Sequence, residues 1–144
     1  MNKRDHTEVR VFTDGGSRGN PGPAAIGVVI ADEKDNIISR FGKYIGTATN
    51  NVAEYSALIE ALRLLREIDA YRVIFHTDSS LVYNQIKGFW KIKNPDIKLL
   101  NEQAKKMLYD LPYYNFIHIP REKNKDADRL VNKALDEQKK SLSQ

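Results

Sequence analysis

Apolar residues recur along this chain with two rhythms, and the switches between them mark out the elements. Glu8 to Thr13 reads as a first strand, with Val9, Val11 and Phe12 placing apolar groups on both faces as a central strand does. Ala24 to Ala31 and Ile37 to Ile45 read as the second and third strands. The Gly- and Pro-rich turn from Gly15 to Pro23 and the polar turn from Asp32 to Asn36 are short enough for antiparallel pairing. After a loop from Gly46 to Asn50 the period becomes helical. Leu58, Leu62 and Leu65 form an apolar stripe in a helix from Asn51 to about Ile68, with Ser56, Glu60, Arg63 and Glu67 turned away. Tyr71 to Thr77 is a fourth strand. Leu81 to Lys87 is a short helix broken by Gly88-Phe89-Trp90, and Asp96 to Asp110 is a longer one ended by Leu111-Pro112. Tyr114 to Ile119 is a fifth strand and Pro120 to Asn124 a loop. Lys125 to Lys139 is a final helix with Asn124 as its N-cap. This order predicts an α/β fold, a mixed sheet with flanking helices, in one domain over residues 1–144. Residues 1–7 read as a short arm and residues 140–144 as a flexible tail.

One residue breaks the helical pattern. Glu54 lies four positions before Leu58, on the apolar stripe, where a carboxylate is costly unless paired or bound to a cation. Two strands also end alike, Val11-Phe12-Thr13-Asp14 and Ile74-Phe75-His76-Thr77-Asp78. Alternation puts Asp14 on the face of Phe12, and Asp78 on that of Ile74 and His76. If these strands are parallel neighbours, both carboxylates emerge at the sheet edge where open α/β sheets bind ligands. Either aspartate alone reads better as a turn former or cap. Asp128, near the start of the last helix, reads alone as a dipole-favoured acid.

Composition narrows the classes. With 41% apolar and 29% charged residues in 144, a soluble globular domain is expected. No apolar run approaches the roughly 18 residues of a membrane span, and Met1 to Glu8 lacks a signal-peptide core. The absence of cysteine excludes disulfides, thiolate zinc sites and cysteine nucleophiles, and fits a reducing, cytoplasmic setting. Net charge is +4, and Lys87, Lys91, Lys93, Lys98, Lys105 and Lys106 cluster against Asp96 and Glu102. On charge alone a solvated basic face is favoured over a nucleic-acid footprint.

Clustered carboxylates raise one another's pKa unless a cation neutralises them. Oxygen donors without cysteine and with few histidines suit Mg²⁺ or Mn²⁺ rather than zinc. Two such ions about 3.5–4 Å apart are the arrangement for in-line displacement at phosphorus.

Four motifs then come together: Asp14-Gly15-Gly16-Ser17-Arg18-Gly19-Asn20-Pro21-Gly22, Thr49-Asn50-Asn51-Val52-Ala53-Glu54-Tyr55, Thr77-Asp78-Ser79, and Arg121 through Asp128. In this order, from about Glu8 to Leu135, the chain resembles type 1 ribonuclease H. The resemblance implies the ribonuclease H-like fold, a five-stranded mixed sheet of three antiparallel strands followed by two parallel ones. It implies hydrolysis of the RNA strand of RNA/DNA hybrids, leaving 5′-phosphate and 3′-hydroxyl ends, with two Mg²⁺ ions for which Mn²⁺ substitutes. By position it makes Asp14, Glu54, Asp78 and Asp128 the metal-binding catalytic acids. Asn20, Asn50 and Asn51 match minor-groove contacts to the hybrid, including RNA 2′-hydroxyls, and an amide can both donate and accept as that group does. Loop and cap chemistry remains the alternative for them. Thr49 matches a pocket that grips a DNA-strand phosphate.

The chain also departs from the family pattern. The loop histidine of many members is missing between Pro120 and Ala127. Arg121 stands nearby as a phosphate contact, and His118 reads as a structural strand residue. Ser80 replaces a glutamine. The basic handle is absent, because Gly88 to Pro95 is too short for an extra helix. Trp90, with Lys87, Lys91 and Lys93, is a candidate to take over part of that work by stacking, and core packing has an equal claim on it. Double-stranded RNA is then a further candidate substrate, and the expected state is a monomer without membrane association. Competing readings are a catalytically silent hybrid- or RNA-binding module, an ATPase fragment of the actin group, and a resolvase or integrase. The four acids disfavour the first. The second needs two such domains, and the asparagine set disfavours the third.

Overall fold

The computed structural model describes residues 5–142. Nine principal elements follow in chain order: β1 (Asp5–Ser17), β2 (Gly22–Asp32), β3 (Ile37–Ala48), α1 (Asn50–Leu64), β4 (Asp69–Thr77), α2 (Ser80–Ile86), α3 (Pro95–Tyr109), β5 (Tyr113–His118) and α4 (Lys125–Leu142). One sheet runs in the order β3-β2-β1-β4-β5. β1 pairs antiparallel with β2 and parallel with β4, which pairs parallel with β5. The apolar residues on both faces of β1 are explained by its central place. Val9 and Val11 are fully buried, and Phe12 stacks on His76 of β4 on the opposite face.

Several element ends differ from the sequence reading. β1 begins at Asp5, inside the stretch expected as an arm, and residues 1–4 lie outside the described residues. It also continues through Gly15 and Gly16 to Ser17, because Ala24 to Ile26 pair with those residues; the true turn is only residues 18–21. β3 extends to Ala48, leaving Thr49 alone as the link to α1. That helix ends at Leu64 and tightens into a 3₁₀ turn, Leu65–Glu67. α4 runs to Leu142, into the stretch expected as a flexible tail; residues 143–144 lie outside the described residues. No helix among the described residues is long and apolar enough to cross a membrane.

The main core lies between the sheet and α1 to α3. Leu58, Leu62 and Leu65 pack there with Val28, Ile30, Val73 and Phe75, as the apolar stripe predicts. On the other face, Val131 and Leu135 of α4 pack on Ala25. Tyr55 is fully buried, and its hydroxyl donates to Gln85 Oε1 at 2.7 Å and accepts from Asn101 Nδ2 at 3.1 Å. One phenol thus links the three helices, and burial raises its pKa. Tyr55→Phe strands two buried amide groups and is expected to cost about 1–3 kcal/mol in urea unfolding.

Candidate metal centre and nucleic-acid cleft

Strand register brings the two Thr-Asp ends level. Thr13 lies opposite Thr77 in the parallel pair, so Asp14 and Asp78 follow at the same end of the sheet. Two glycines let the helices close on this point. A Cβ on Gly15 would sit 2.2 Å from the Ala53 carbonyl oxygen, so α1 rests directly on β1. Gly15 N–H then donates to Glu54 Oε1 at 2.9 Å. A Cβ on Gly27, the cross-strand partner of Asp14, would sit 2.2 Å from the Ala127 carbonyl oxygen. That approach places Asp128, in the first turn of α4, near enough to Asp14 for its charge to raise the Asp14 carboxyl.

Asp14, Glu54 and Asp78 each offer a carboxylate oxygen within 4.8 Å of the others. Asp128 is not within that distance of all three. Asp14 is 7% and Glu54 8% exposed. Burial, then the charges of Asp78 and Asp128, push the Asp14 carboxyl up to about 8. Burial, then Asp14 and Asp78, hold Glu54 well above its ordinary range, opposed by Gly15 N–H and the Arg121 charge. Buried carboxylates that repel one another form a site that divalent cations neutralise, and an all-oxygen donor set fits Mg²⁺ or Mn²⁺.

Beside the acids, Asn20, Thr49, Asn51, Lys91 and Lys93 line one cleft of about 440 Å³. Thr49 is the N-cap of α1, its Oγ1 accepting from Val52 N–H at 3.2 Å. Capping therefore falls to Thr49 rather than to Asn51. Asn50 N–H donates to Asn20 Oδ1 at 3.0 Å, and Asn50 Oδ1 accepts from Ser17 N–H at 3.3 Å. With both oxygens engaged, the Nδ2 groups of Asn20 and Asn50 are what these side chains offer a ligand. Residues 87–94 join α2 to α3 without another helix. Trp90 is 49% and Phe89 69% exposed, so core packing does not hold Trp90. Phe89, read in the sequence only as part of the helix break, is a second exposed aromatic beside it.

His118 ends β5 at the surface, its Nε2 3.4 Å from both Ser80 Oγ and the Asp78 carbonyl oxygen, its ring stacked on Tyr83. Arg121 lies in an exposed 3₁₀ turn, Arg121–Lys123. Asn124 departs from the expected capping role. Its side-chain NH₂ donates to the Thr13 carbonyl at 2.8 Å and to Asp78 Oδ2 at 3.0 Å. An asparagine before a helix gives the same sequence signal for either use, so only the packing of three chain segments distinguishes them.

A five-stranded mixed sheet with carboxylates gathered where the pairing of its first and fourth strands ends defines a ribonuclease H-like protein. A family model described as reverse transcriptase-like matches residues 12–134. Ribonuclease HI of Halobacterium salinarum is 40% identical over 129 residues, which are 90% of this chain and 65% of that protein, so the chain spans just under two thirds of it. The crystal structure of RNase H1 from the same archaeon superposes with a TM-score of 0.88 at 40% identity, covering 90% of this chain and 98% of that one. LC11-RNase H1, solved in complex with RNA/DNA hybrid, superposes at 0.85 with 46% identity, covering 90% and 97%. The chain belongs to the type 1 ribonuclease H family.

Proposed function

We propose that this chain is an endonuclease hydrolysing the RNA strand of RNA/DNA hybrids, leaving 5′-phosphate and 3′-hydroxyl ends. The observation that carries the reading is the gathering of Asp14, Glu54 and Asp78 within 4.8 Å beside a cleft lined by Asn20, Asn51, Lys91 and Lys93. The hybrid-bound relative, 46% identical, supports the substrate class. Asp14, Glu54, Asp78 and Asp128 would hold two Mg²⁺ ions, or Mn²⁺ in their place. When bound, these cations supply positive charge to the attacking and leaving oxygens of an in-line displacement at phosphorus.

The protein's own groups do the rest. Gly15 N–H holds Glu54 in place. The Asn20 and Asn50 amides donate to ribose oxygens, and a 2′-hydroxyl is what separates RNA from DNA. Asn51 adds to these minor-groove contacts, and the Thr49 hydroxyl, with Lys91 and Lys93, receives a DNA-strand phosphate in the cleft. Trp90 stacks on the substrate from an exposed turn, and Arg121 meets phosphate at the rim of the acids. Residues 1–144 act as one domain and a monomer. The cysteine-free composition supports a cytoplasmic setting. The short link between α2 and α3, which leaves no basic handle, supports double-stranded RNA as a second substrate.

The test is incubation of purified protein with labelled RNA/DNA hybrid, double-stranded RNA, single-stranded RNA and duplex DNA, each with Mg²⁺, Mn²⁺ or EDTA. Cleavage of hybrid that stops in EDTA is expected, and binding without turnover in any ion would leave a binding module instead. Equal cleavage of hybrid and duplex DNA would sink the 2′-hydroxyl argument. Asn50→Ala is expected to lower kcat/KM on hybrid about tenfold or more, with melting within a few degrees of wild type, since Asn50 is exposed.

A further inference from the structure

Asn124 is 1% exposed and stands where three acid-bearing segments meet. One side-chain N–H donates to the carbonyl of Thr13, the residue before Asp14, at 2.8 Å. The other donates to Asp78 Oδ2 at 3.0 Å. The Asn124 backbone carbonyl accepts from Asp128 N–H at 3.1 Å, the first turn of α4. A single residue therefore bonds to the ends of β1 and β4 and to the start of α4, the segments that carry Asp14, Asp78 and Asp128.

The orientation of the amide follows from its partners. Both are oxygens, so only the NH₂ end can face them; the reverse orientation would set three oxygens against one another. The consequence is that Oδ1 is buried with no partner among the described residues. A buried unpaired acceptor opposes folding. What the side chain contributes here is its two donors, one to each acid-bearing strand end.

We propose that Asn124 is a positioning residue for the acid centre, fixing the Asp78 carboxylate through Oδ2 so that its other oxygen is presented to a divalent cation. The inference rests on the metal-dependent nuclease reading above. A neutral amide suits this place better than a cation. One N–H holds the Asp78 carboxylate without competing for the positive charge the centre takes up, while the other is anchored on the Thr13 carbonyl. Tying Thr13 and Asp78 to one amide also couples the carboxylate's direction to the β1 end. Loosening either partner then shifts Asp78 relative to Asp14.

The experiment compares wild type, Asn124→Ala and Asn124→Asp in three measurements: Mn²⁺ affinity by electron paramagnetic resonance without substrate, kcat and KM on hybrid, and hybrid affinity in EDTA. Asn124→Ala is expected to weaken Mn²⁺ binding about tenfold or more and to lower kcat 10- to 100-fold, with KM and hybrid affinity within about threefold. Asn124→Asp keeps the shape but replaces the donors with a charge facing Asp78, and is expected to be the worse of the two. Mn²⁺ affinity and kcat near wild type in Asn124→Ala overturn the proposal, as does a lost melting transition with unchanged Mn²⁺ affinity. Should both variants fail to fold, the wild type still decides. The Asn124 side-chain NH₂ resonances are expected to shift on Mg²⁺ titration with the midpoint of ion binding, and their failure to move overturns the proposal. A wild type that binds no Mn²⁺ and cuts no hybrid sinks the nuclease reading itself; an active wild type matched by Asn124→Ala sinks the positioning role alone.

Discussion

Asp14→Asn is expected to abolish Mg²⁺-dependent cleavage, with kcat down about a thousandfold or more, while hybrid affinity in EDTA stays near that of wild type. Asp14 lies between Asp78 and Asp128 in the electrostatics of the site, and burial adds to their repulsion. The amide keeps the shape and removes the charge that a cation requires. The same substitution is expected to raise the stability of the metal-free protein. The Asp14 carboxyl titrates at about 8 in the folded chain against 3.8 ordinarily. Between those values the folded protein holds a proton that the unfolded chain has released. Wild-type stability therefore falls as pH rises from about 4 to about 8, and the loss is complete above 8. The full shift at about 1.4 kcal/mol per unit is an upper bound, and relaxation of the site reduces it to about 1–3 kcal/mol. Thermal melts in EDTA at pH 5 and pH 8.5 check this: the variant should gain over wild type mainly at the higher pH. Mg²⁺ should then raise the melting temperature of wild type more than that of the variant. A variant that keeps cleaving, or a wild type indifferent to Mg²⁺ in both assays, removes Asp14 from the centre.

Legibility in the sequence varied with the range of the physics involved. Glu54 is readable because one carboxylate on a stripe of leucines violates a local rule, and its 8% exposure is the packing counterpart of that violation. The Thr-Asp repeat is readable because parallel neighbours ending alike present the same groups at one edge, and the Thr13–Thr77 pair places them there. Strand ends were harder. A run of Gly, Ser and Pro is a turn signal, yet β1 passes through Gly15 and Gly16 because β2 supplies a ladder for them. Trp90 could not be placed from composition; it follows Gly88, whose φ of +82° ends the helical run of α2, and it is half-exposed in the link to α3. Asn124 was hidden for a different reason. Its two acceptors are 111 and 46 residues away, and no local pattern reports contacts of that separation.

The adjacent glycines that follow Asp14 in β1 are expected to respond differently to the same added methyl group. In Gly15→Ala the new Cβ would meet the Ala53 carbonyl oxygen at 2.2 Å, its carbon at 2.3 Å and Glu54 N at 2.6 Å. All three are backbone atoms of a helix packed on the core, so no side chain can swing aside. α1 must lift from β1, and the Gly15 N–H bond to Glu54 lengthens with it. The expected cost is about 2–4 kcal/mol, or roughly 10 °C in melting temperature, with kcat falling in parallel as Glu54 leaves Asp14. In Gly16→Ala the Cβ meets Val131 Cγ1 at 3.6 Å and Asn50 Oδ1 at 3.8 Å, which is ordinary contact with two side chains. That variant is expected to unfold within about 1 kcal/mol of wild type and to keep most of its activity. Urea unfolding and hybrid cleavage of the two proteins, measured side by side, separate close helix contact from a general need for glycine in this stretch of β1. Equal losses at both positions would show that this stretch of β1 itself demands glycine and that the seating of α1 on Gly15 does not place Glu54.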